Sequence, residues 1–324
     1  MQAVKLFNSV YVIPGATNTG AITVKKGDRY EVYLVDTGMN ADDGKRILQA
    51  VEEIFTEKND GSDNTKTNDS FTLKAIINTH SHADHTGGNK YIQEKTGCEI
   101  YATFGETGSI INPFLQPAVV WGGFPITEIR TSYLTSESTI PTKIISSETK
   151  ITLPNGGALS FVPLPGHYFD MVGVLYTLTD GVDTKSAFFM GDGVFGRAHI
   201  MKYWIPFLYD VGKFKESLEI IKNTRATWYI PSHGETTERI EETVELNQIA
   251  ILSNERCILR VLEKSDLSEE DILKKCADLN EITLKPAQYA LIKSTIRSYL
   301  SYLNIDGKLS YYIKENRMLW HKKQ

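Results

Sequence analysis

The apolar run Leu73-Lys74-Ala75-Ile76-Ile77 leads directly into Asn78-Thr79-His80-Ser81-His82-Ala83-Asp84-His85-Thr86-Gly87-Gly88, and this junction restricts the fold more than any other stretch. Such a run reads as a buried strand, and the polar, glycine-ended segment after it as a loop held at the strand's end. The chain has seven histidines, and five of them, His80, His82, His85, His167 and His233, fall into one pattern of this kind. Imidazole is the commonest protein metal ligand. A metal site at the edge of a sheet accounts for the pattern.

The remaining candidates come from three further turns. Pro165-Gly166-His167 follows a strand signal at 159–164, Met190-Gly191-Asp192-Gly193 follows one at 186–190, and Pro231-Ser232-His233-Gly234 follows one at 228–230. His80 and His82, one residue apart in an extended loop, suit a first ion together with His167. Asp84 and His85 point the other way and suit a second. Asp192 is placed to bridge both, and His233 supplies the last imidazole. Seven ligands from four loops fit a dinuclear centre. A hydroxide held between two cations roughly 3.5 to 4 Å apart is a nucleophile at neutral pH, and the cations polarise the substrate oxygen, so no separate base is needed. Asp84 and Asp192 are the acidic members of that expected catalytic centre. Mixed imidazole and carboxylate donors accept zinc, iron or manganese, with zinc the default for the two divalent ions. Tyr168, next to His167, is a candidate hydrogen-bond donor to a developing oxyanion. His199 and His321 have no partner in the pattern and are placed outside the site. Trp121, Phe124, Tyr203, Trp204 and Phe207 are either cavity lining or core.

At 324 residues the chain is long for one domain, and a change of pattern near residue 245 divides it into 1–245 and 246–324. The charge is uneven across that line. Residues 245–324 hold 13 Lys+Arg against 11 Asp+Glu, or +2, so that the net −5 leaves −7 for residues 1–244. Cys98, Cys257 and Cys276 form no Cys-x-x-Cys pair and read as core thiols rather than a disulfide framework. The start of the chain has no basic segment ahead of a long apolar one, and no run of about 18 apolar residues occurs elsewhere. A soluble cytoplasmic protein with no membrane partner is expected.

The first 40 residues alternate apolar and polar positions between Gly and Asn, as hairpin-connected strands do. Ile47, Val51 and Ile54 give 42–55 the spacing of an amphipathic helix, and Asp210 is a candidate cap for another over 211–222. Strand signals recur at 99–102, 150–153, 159–164, 172–177, 186–190 and 228–230. This order points to an α/β sandwich. Residues 58–70 have almost nothing to bury and read as a mobile surface loop. Residues 103–147 are long, aromatic and without clear period, which suggests an ordered lid beside the site.

His80-Ser81-His82-Ala83-Asp84-His85 with Gly88, followed by His167, Asp192 and His233, resembles the metallo-β-lactamase superfamily over about residues 5–240. The resemblance implies an αββα sandwich with a two-metal centre at its edge. It puts His80, His82 and His167 on one ion, Asp84, His85 and His233 on the other, and Asp192 between them. Val35-Asp36-Thr37-Gly38 resembles the family's early Asp-Thr-Gly segment, whose Asp supports the ligands without touching metal. His82 stands where diiron flavoprotein relatives place Glu, the bridging Asp192 argues against a true β-lactamase, and no long insert separates Asp192 from His233. What remains is a hydrolase of the glyoxalase II-like or small-nuclease type.

The C-terminal segment shows helices over 256–264, 268–276 and 286–303, then a hairpin, which together resemble a small winged-helix domain. Residues 285–324 carry eight Lys+Arg against two acids, or +6, so a nucleic-acid face competes with simple packing on the sandwich. The leading expectation is hydrolysis of a small-molecule ester, thioester or lactone. The alternative is an endonuclease or phosphodiesterase whose C-terminal domain holds RNA or DNA, and a metal-bearing regulator is a distant third. Homo-oligomerisation is left open.

Overall fold

The computed structural model describes residues 2–56 and 70–323. The loop expected at 58–70 lies outside the described residues apart from Ser70. Strands β1 (Val4–Phe7), β2 (Val10–Ile13), β3 (Thr19–Lys26) and β4 (Arg29–Val35) form an antiparallel meander, as the alternating N-terminal pattern predicts. Helix α1 (Ala41–Thr56) then leads to β5 (Phe71–Ile77), which pairs parallel with β4. Helices α2 (Ala83–Thr86) and α3 (Asn89–Thr96) precede β6 (Glu99–Thr103). Helices α4 (Phe104–Ile111) and α5 (Leu115–Trp121) precede β7 (Lys143–Ile145), which completes a sheet of seven strands in sequence order.

The second sheet holds β8 (Lys150–Thr152), β9 (Ala158–Pro163), β10 (Val172–Asp180), β11 (Asp183–Phe189) and β12 (Trp228–Ile230) in the order 12-11-10-9-8. Helices α6 (Arg197–Lys202) and α7 (Val211–Asn223) lie between β11 and β12. Asp210 caps α7 by accepting from Lys213 N at 2.9 Å, as its position before the apolar stripe predicts. Helices α8 (Glu241–Val261), α9 (Glu269–Leu279) and α10 (Pro286–Ile305) and the hairpin β13 (Leu309–Lys314) and β14 (Arg317–Lys322) complete the chain.

The period-two alternation of the strands separates the layers. In β4, Val32 and Leu34 face Ile47 and Val51 of α1, while Tyr33 and Val35 face Phe161 and Val174 of the second sheet. The far side of that sheet buries Leu164 and Phe188 under Phe214, Leu218 and Ile221 of α7. The order helix, sheet, sheet, helix follows, and each large apolar side chain removed from water contributes about 1.5–3 kcal/mol. Loops leaving β5, β9, β11 and β12 meet at one edge of the sandwich.

Two stretches differ from their sequence patterns for physical reasons. Residues 103–147 include the short helices α4 and α5 joined by irregular segments; the buried side of α4 carries Glu106 and Ser109 beside Ile110, and α5 buries Gln116, so neither shows a clear apolar period. The first C-terminal helix begins at Glu241 rather than near 256. Its inward stations are Val244, Asn247, Ile251, Asn254, Glu255, Ile258 and Val261, a clean helical spacing hidden by three polar residues. Asn247 clamps Phe195 through both its backbone groups, at 3.1 and 2.8 Å, and Glu255 pairs with Lys215 of α7 at 3.0 Å.

Residue 245 therefore falls inside α8, and one hydrophobic cluster runs from Phe188 through Phe214, Ile251, Ile296 and Leu309 to Trp320. A chain ended at Glu245 uncovers the outer face of α7. It is predicted to lose its cooperative thermal transition and to bind a hydrophobic dye; a sharp transition near that of the full chain would contradict the shared core.

Candidate metal centre

The turn after β4 organises the site. Asp36 is buried and held at φ 61°, a left-handed conformation that costs a non-glycine residue roughly 1–2 kcal/mol. Its carboxylate accepts from Thr79 N and Thr79 Oγ1, both at 2.8 Å, and from His85 Nδ1 at 2.8 Å. Thr79 Oγ1, its proton given to Asp36, lies 3.1 Å from His80 Nδ1. The ligand loop sits so close on this turn that a Cβ at Gly87 would lie 1.8 Å from the Met39 carbonyl oxygen. Gly191, at φ 55°, would likewise drive a Cβ to 2.7 Å from Thr79 Oγ1. Both glycines are there because backbone meets backbone or a side chain at the site.

Other imidazoles are fixed in the same manner. His167 Nδ1 donates to the Phe207 carbonyl at 2.8 Å and His233 Nδ1 to the Ala16 carbonyl at 2.9 Å. Thr17 Oγ1 donates to Asp84 Oδ2 at 3.0 Å. Anchoring Nδ1 in this way leaves Nε2 of His85, His167 and His233 aimed inward, the usual outer support of a metal-bound histidine.

Three groups of three then converge: His80, His82 and His167; His80, His85 and Asp192; Asp84, His85 and His233, each with its ligand atoms within 4.8 Å of one another. Asp192 stands between the outer two. Its Oδ1 lies 3.3 Å from His85 Nε2, while Oδ2 lies 3.4 Å from His167 Nε2 and 3.5 Å from His233 Nε2. His233 Nε2 is 3.1 Å from Asp84 Oδ2, and His82 Nδ1 faces His167 Nε2 at 2.9 Å.

Burial sets the electrostatics. It holds His80, His82 and His167 below the usual imidazole range, reinforced for His80 and His82 by neighbouring imidazoles. Burial also opposes the charged forms of His85 and His233, but Asp192 and Asp84 outweigh it and raise both. Burial would raise Asp84 and Asp192 too, yet the facing imidazoles hold both below the usual carboxylate range. Among the described residues, Nε2 of His80, His82 and His85 and Oδ1 of Asp192 have no hydrogen-bond partner. The His85 and Asp192 atoms face each other as an ion pair at 3.3 Å, whereas an unpaired atom such as Nε2 of His80 or His82 costs about 1–3 kcal/mol. Imidazoles and carboxylates left open toward a common centre fit divalent cations, whose binding would displace the protons that Asp84 and Asp192 favour on His85 and His233.

All seven expected ligands thus meet at one place. Tyr168 packs its ring on His82 at 4.3 Å, and its buried hydroxyl has no hydrogen-bond partner among the described residues. Of the aromatic candidates, Phe207 touches His82 and His167 at 5.6 and 5.8 Å, while Trp204 packs on the core and Trp121 and Phe124 are partly exposed. His321 lies in the C-terminal hairpin, as its exclusion requires.

Two residues at the site escaped the sequence. His199 stacks on His233 at 4.9 Å and on Phe195 at 4.8 Å, and burial with the neighbouring His233 lowers it to about 4. Nothing in its sequence context marks it. Glu106 is buried and accepts from Ser81 N at 2.9 Å, Ser81 Oγ at 2.6 Å and Asp170 N at 2.8 Å. It ties α4 to the loop between His80 and His82 and to the segment after His167. A lone acid in the apolar stretch 104–127 was its available signal.

Residues 12–233 match the profile of the Metallo-beta-lactamase superfamily. The chain belongs to that superfamily. Two curated hydroxyacylglutathione hydrolases share local similarity with it, one from Rhodospirillum rubrum at 44% identity over 52 residues and one from Hyphomonas neptunium at 51% over 41. Those matches cover 16% and 13% of this chain and span only 20% and 16% of the two relatives' lengths. A beta-lactamase domain protein from Burkholderia ambifaria superposes with a TM-score of 0.70 at 14% identity, covering 99% of this chain and 93% of its own. A metallo-beta-lactamase family protein from Thermus thermophilus gives 0.69 at 14%, covering 98% and 100%. The structural likenesses show the fold, and the profile match places the chain in a superfamily whose members are mostly hydrolases, with His/Asp groups here that could hold metal.

Burial pushes the Glu106 carboxyl up to about 7 against the hydrogen bonds that favour its charged form. Between about pH 4.3, where an unfolded Glu titrates, and that value the folded chain keeps a proton the unfolded chain has released. The stability associated with it is complete below the lower pH and is lost as pH rises through the upper. In urea unfolding of the chelated protein, wild type is predicted to lose about 4 kcal/mol relative to Glu106→Gln across this window. Parallel profiles would contradict the assignment.

Proposed function

We propose that this superfamily member is a dinuclear, zinc-dependent hydrolase of thioesters or closely related small acyl esters. The observation that carries the reading is Asp192, whose two oxygens face imidazoles of both outer triads. His80, His82 and His167 would hold one ion, Asp84, His85 and His233 the other, and Asp192 would be shared. Bound there, two divalent ions supply an acidified water and a Lewis acid for the substrate carbonyl. The chain's own contribution is orientation. Asp36 fixes His85 directly and His80 through Thr79, and the Phe207 and Ala16 carbonyls fix His167 and His233. Phe207 and the ring of Tyr168 shield the His82 side from water. The hydroxyacylglutathione hydrolase relatives favour a thioester over other acyl substrates.

The C-terminal basic count gives the nuclease alternative little support. Of the eight basic residues in 285–324, Lys293, Arg297, Lys308, Arg317 and Lys322 face carboxylates, among them Glu270, Glu269, Glu255, Asp271 and Glu263. The local excess is largely neutralised once α8 and α9 fold against α10 and the hairpin.

Zinc-loaded wild type and Asp192→Ala are to be compared on a hydroxyacylglutathione thioester and on labelled single-stranded RNA. The thioester is predicted to be cleaved, with turnover falling about 10³-fold in the variant, ~4 kcal/mol of transition-state stabilisation. Metal content by elemental analysis falls with it. RNA cleavage that requires Asp192, without thioester turnover, would move the activity to phosphodiesters. Unchanged turnover and metal content in Asp192→Ala would remove the basis of the reading.

A further inference from the structure

Glu106 is the sole ionisable side chain between residues 104 and 127, and it is buried. The segment nevertheless lies at the surface. Phe104 and Phe124 are 80% and 76% exposed, and Ile111, Leu115, Trp121 and Ile126 are each about two-fifths exposed. Helices α4 and α5 pack on one another, α5 rests on α10, and the rings of Phe114 and Phe124 lie 5.5 Å apart, so these side chains belong to adjoining elements. Monomeric proteins rarely leave a large contiguous apolar patch in water.

We propose that the α4–α5 face is a homodimer interface, covered by a second copy of this chain about a two-fold axis. An isologous contact sets a surface against its own image, so any exposed charge of one sign would oppose itself there. The chain carries a net −5, whereas this stretch of 24 residues has no exposed charge of its own, and the exposed pair at its end, Glu128 and Arg130 (the latter over the Phe124 ring at 5.2 Å), carries both signs, so that two copies approach without a net like-charge penalty. A fully buried aromatic side chain accounts for 150–250 Å², so the exposed parts of these six side chains reach several hundred Å², on the order of one side of a standard interface. An acidic lipid surface would call for free cations at the rim. The basic residues on the adjoining α10, Lys293 and Arg297, are instead engaged by Glu270 and Glu269, and Arg130, over the Phe124 ring, is accompanied by the exposed Glu128. The buried side of α4 carries Glu106 against Ser81, so the partner would press on the element that holds the His80–His82 loop while touching no candidate ligand. The inference is independent of the proposed hydrolysis.

Sedimentation velocity on the full chain over about 1 to 100 µM tests it, alongside the double variant Phe104→Glu/Phe124→Glu. Both side chains are more than three-quarters exposed, so the variant is expected to keep the far-UV spectrum and melting temperature of wild type. Hydrogen exchange on wild type at the two ends of the range gives a reading that needs no variant. A dimer that the variant converts to monomer, with protection at 104–126 rising with concentration, supports the interface. A monomer throughout the range, or a dimer the double variant leaves intact, would overturn it. So would a monomer that floats with neutral or acidic lipid vesicles, which would give the face to lipid.

Discussion

Everything at this edge of the sandwich depends on burying two carboxylates and five imidazoles within a few ångströms of Asp192. In a low-dielectric setting such a cluster is costly unless its charges are compensated, and mutual ion pairing satisfies only part of it. The cluster therefore imposes its requirements on the rest of the chain. Four loops must leave their strands at one end, two glycines must allow backbone contact, and Asp36 must hold a strained conformation to serve Thr79 and His85 together.

The C-terminal helices take part in this. Asn247 of α8 grips the backbone of Phe195, three residues after Asp192, and α7 and α8 are joined by the Lys215–Glu255 pair. The same helices cover the outer face of the second sheet. They act as one wall of the metallo-β-lactamase sandwich as much as a separate appendage. The opposite flank, α4, combines a buried face wired to the ligand loop through Glu106 with an apolar outer face.

The ligands and the sandwich were legible in the sequence because strong local signals carried them: period-two strands, an amphipathic α1, and histidines at strand ends. What stayed hidden was set by packing. The three inward polar stations of α8 broke its apolar stripe, and the short helices α4 and α5 turn polar Glu106, Ser109 and Gln116 inward while apolar side chains face out. His199 reaches the site only because α6 folds back on Phe195 and His233. The charge excess at the C-terminus is smaller in space than along the chain, since counting over 285–324 leaves out Glu263 and the acids of α8 and α9 that sit opposite.

The most direct test is anomalous X-ray diffraction from crystals of the metal-loaded protein, recorded at the absorption edges of zinc, iron and manganese. Two zinc peaks are predicted, one among His80, His82 and His167 and one among Asp84, His85 and His233, with the Asp192 carboxylate touching both. A single peak, or two peaks of which neither is bound by Asp192, would contradict the account.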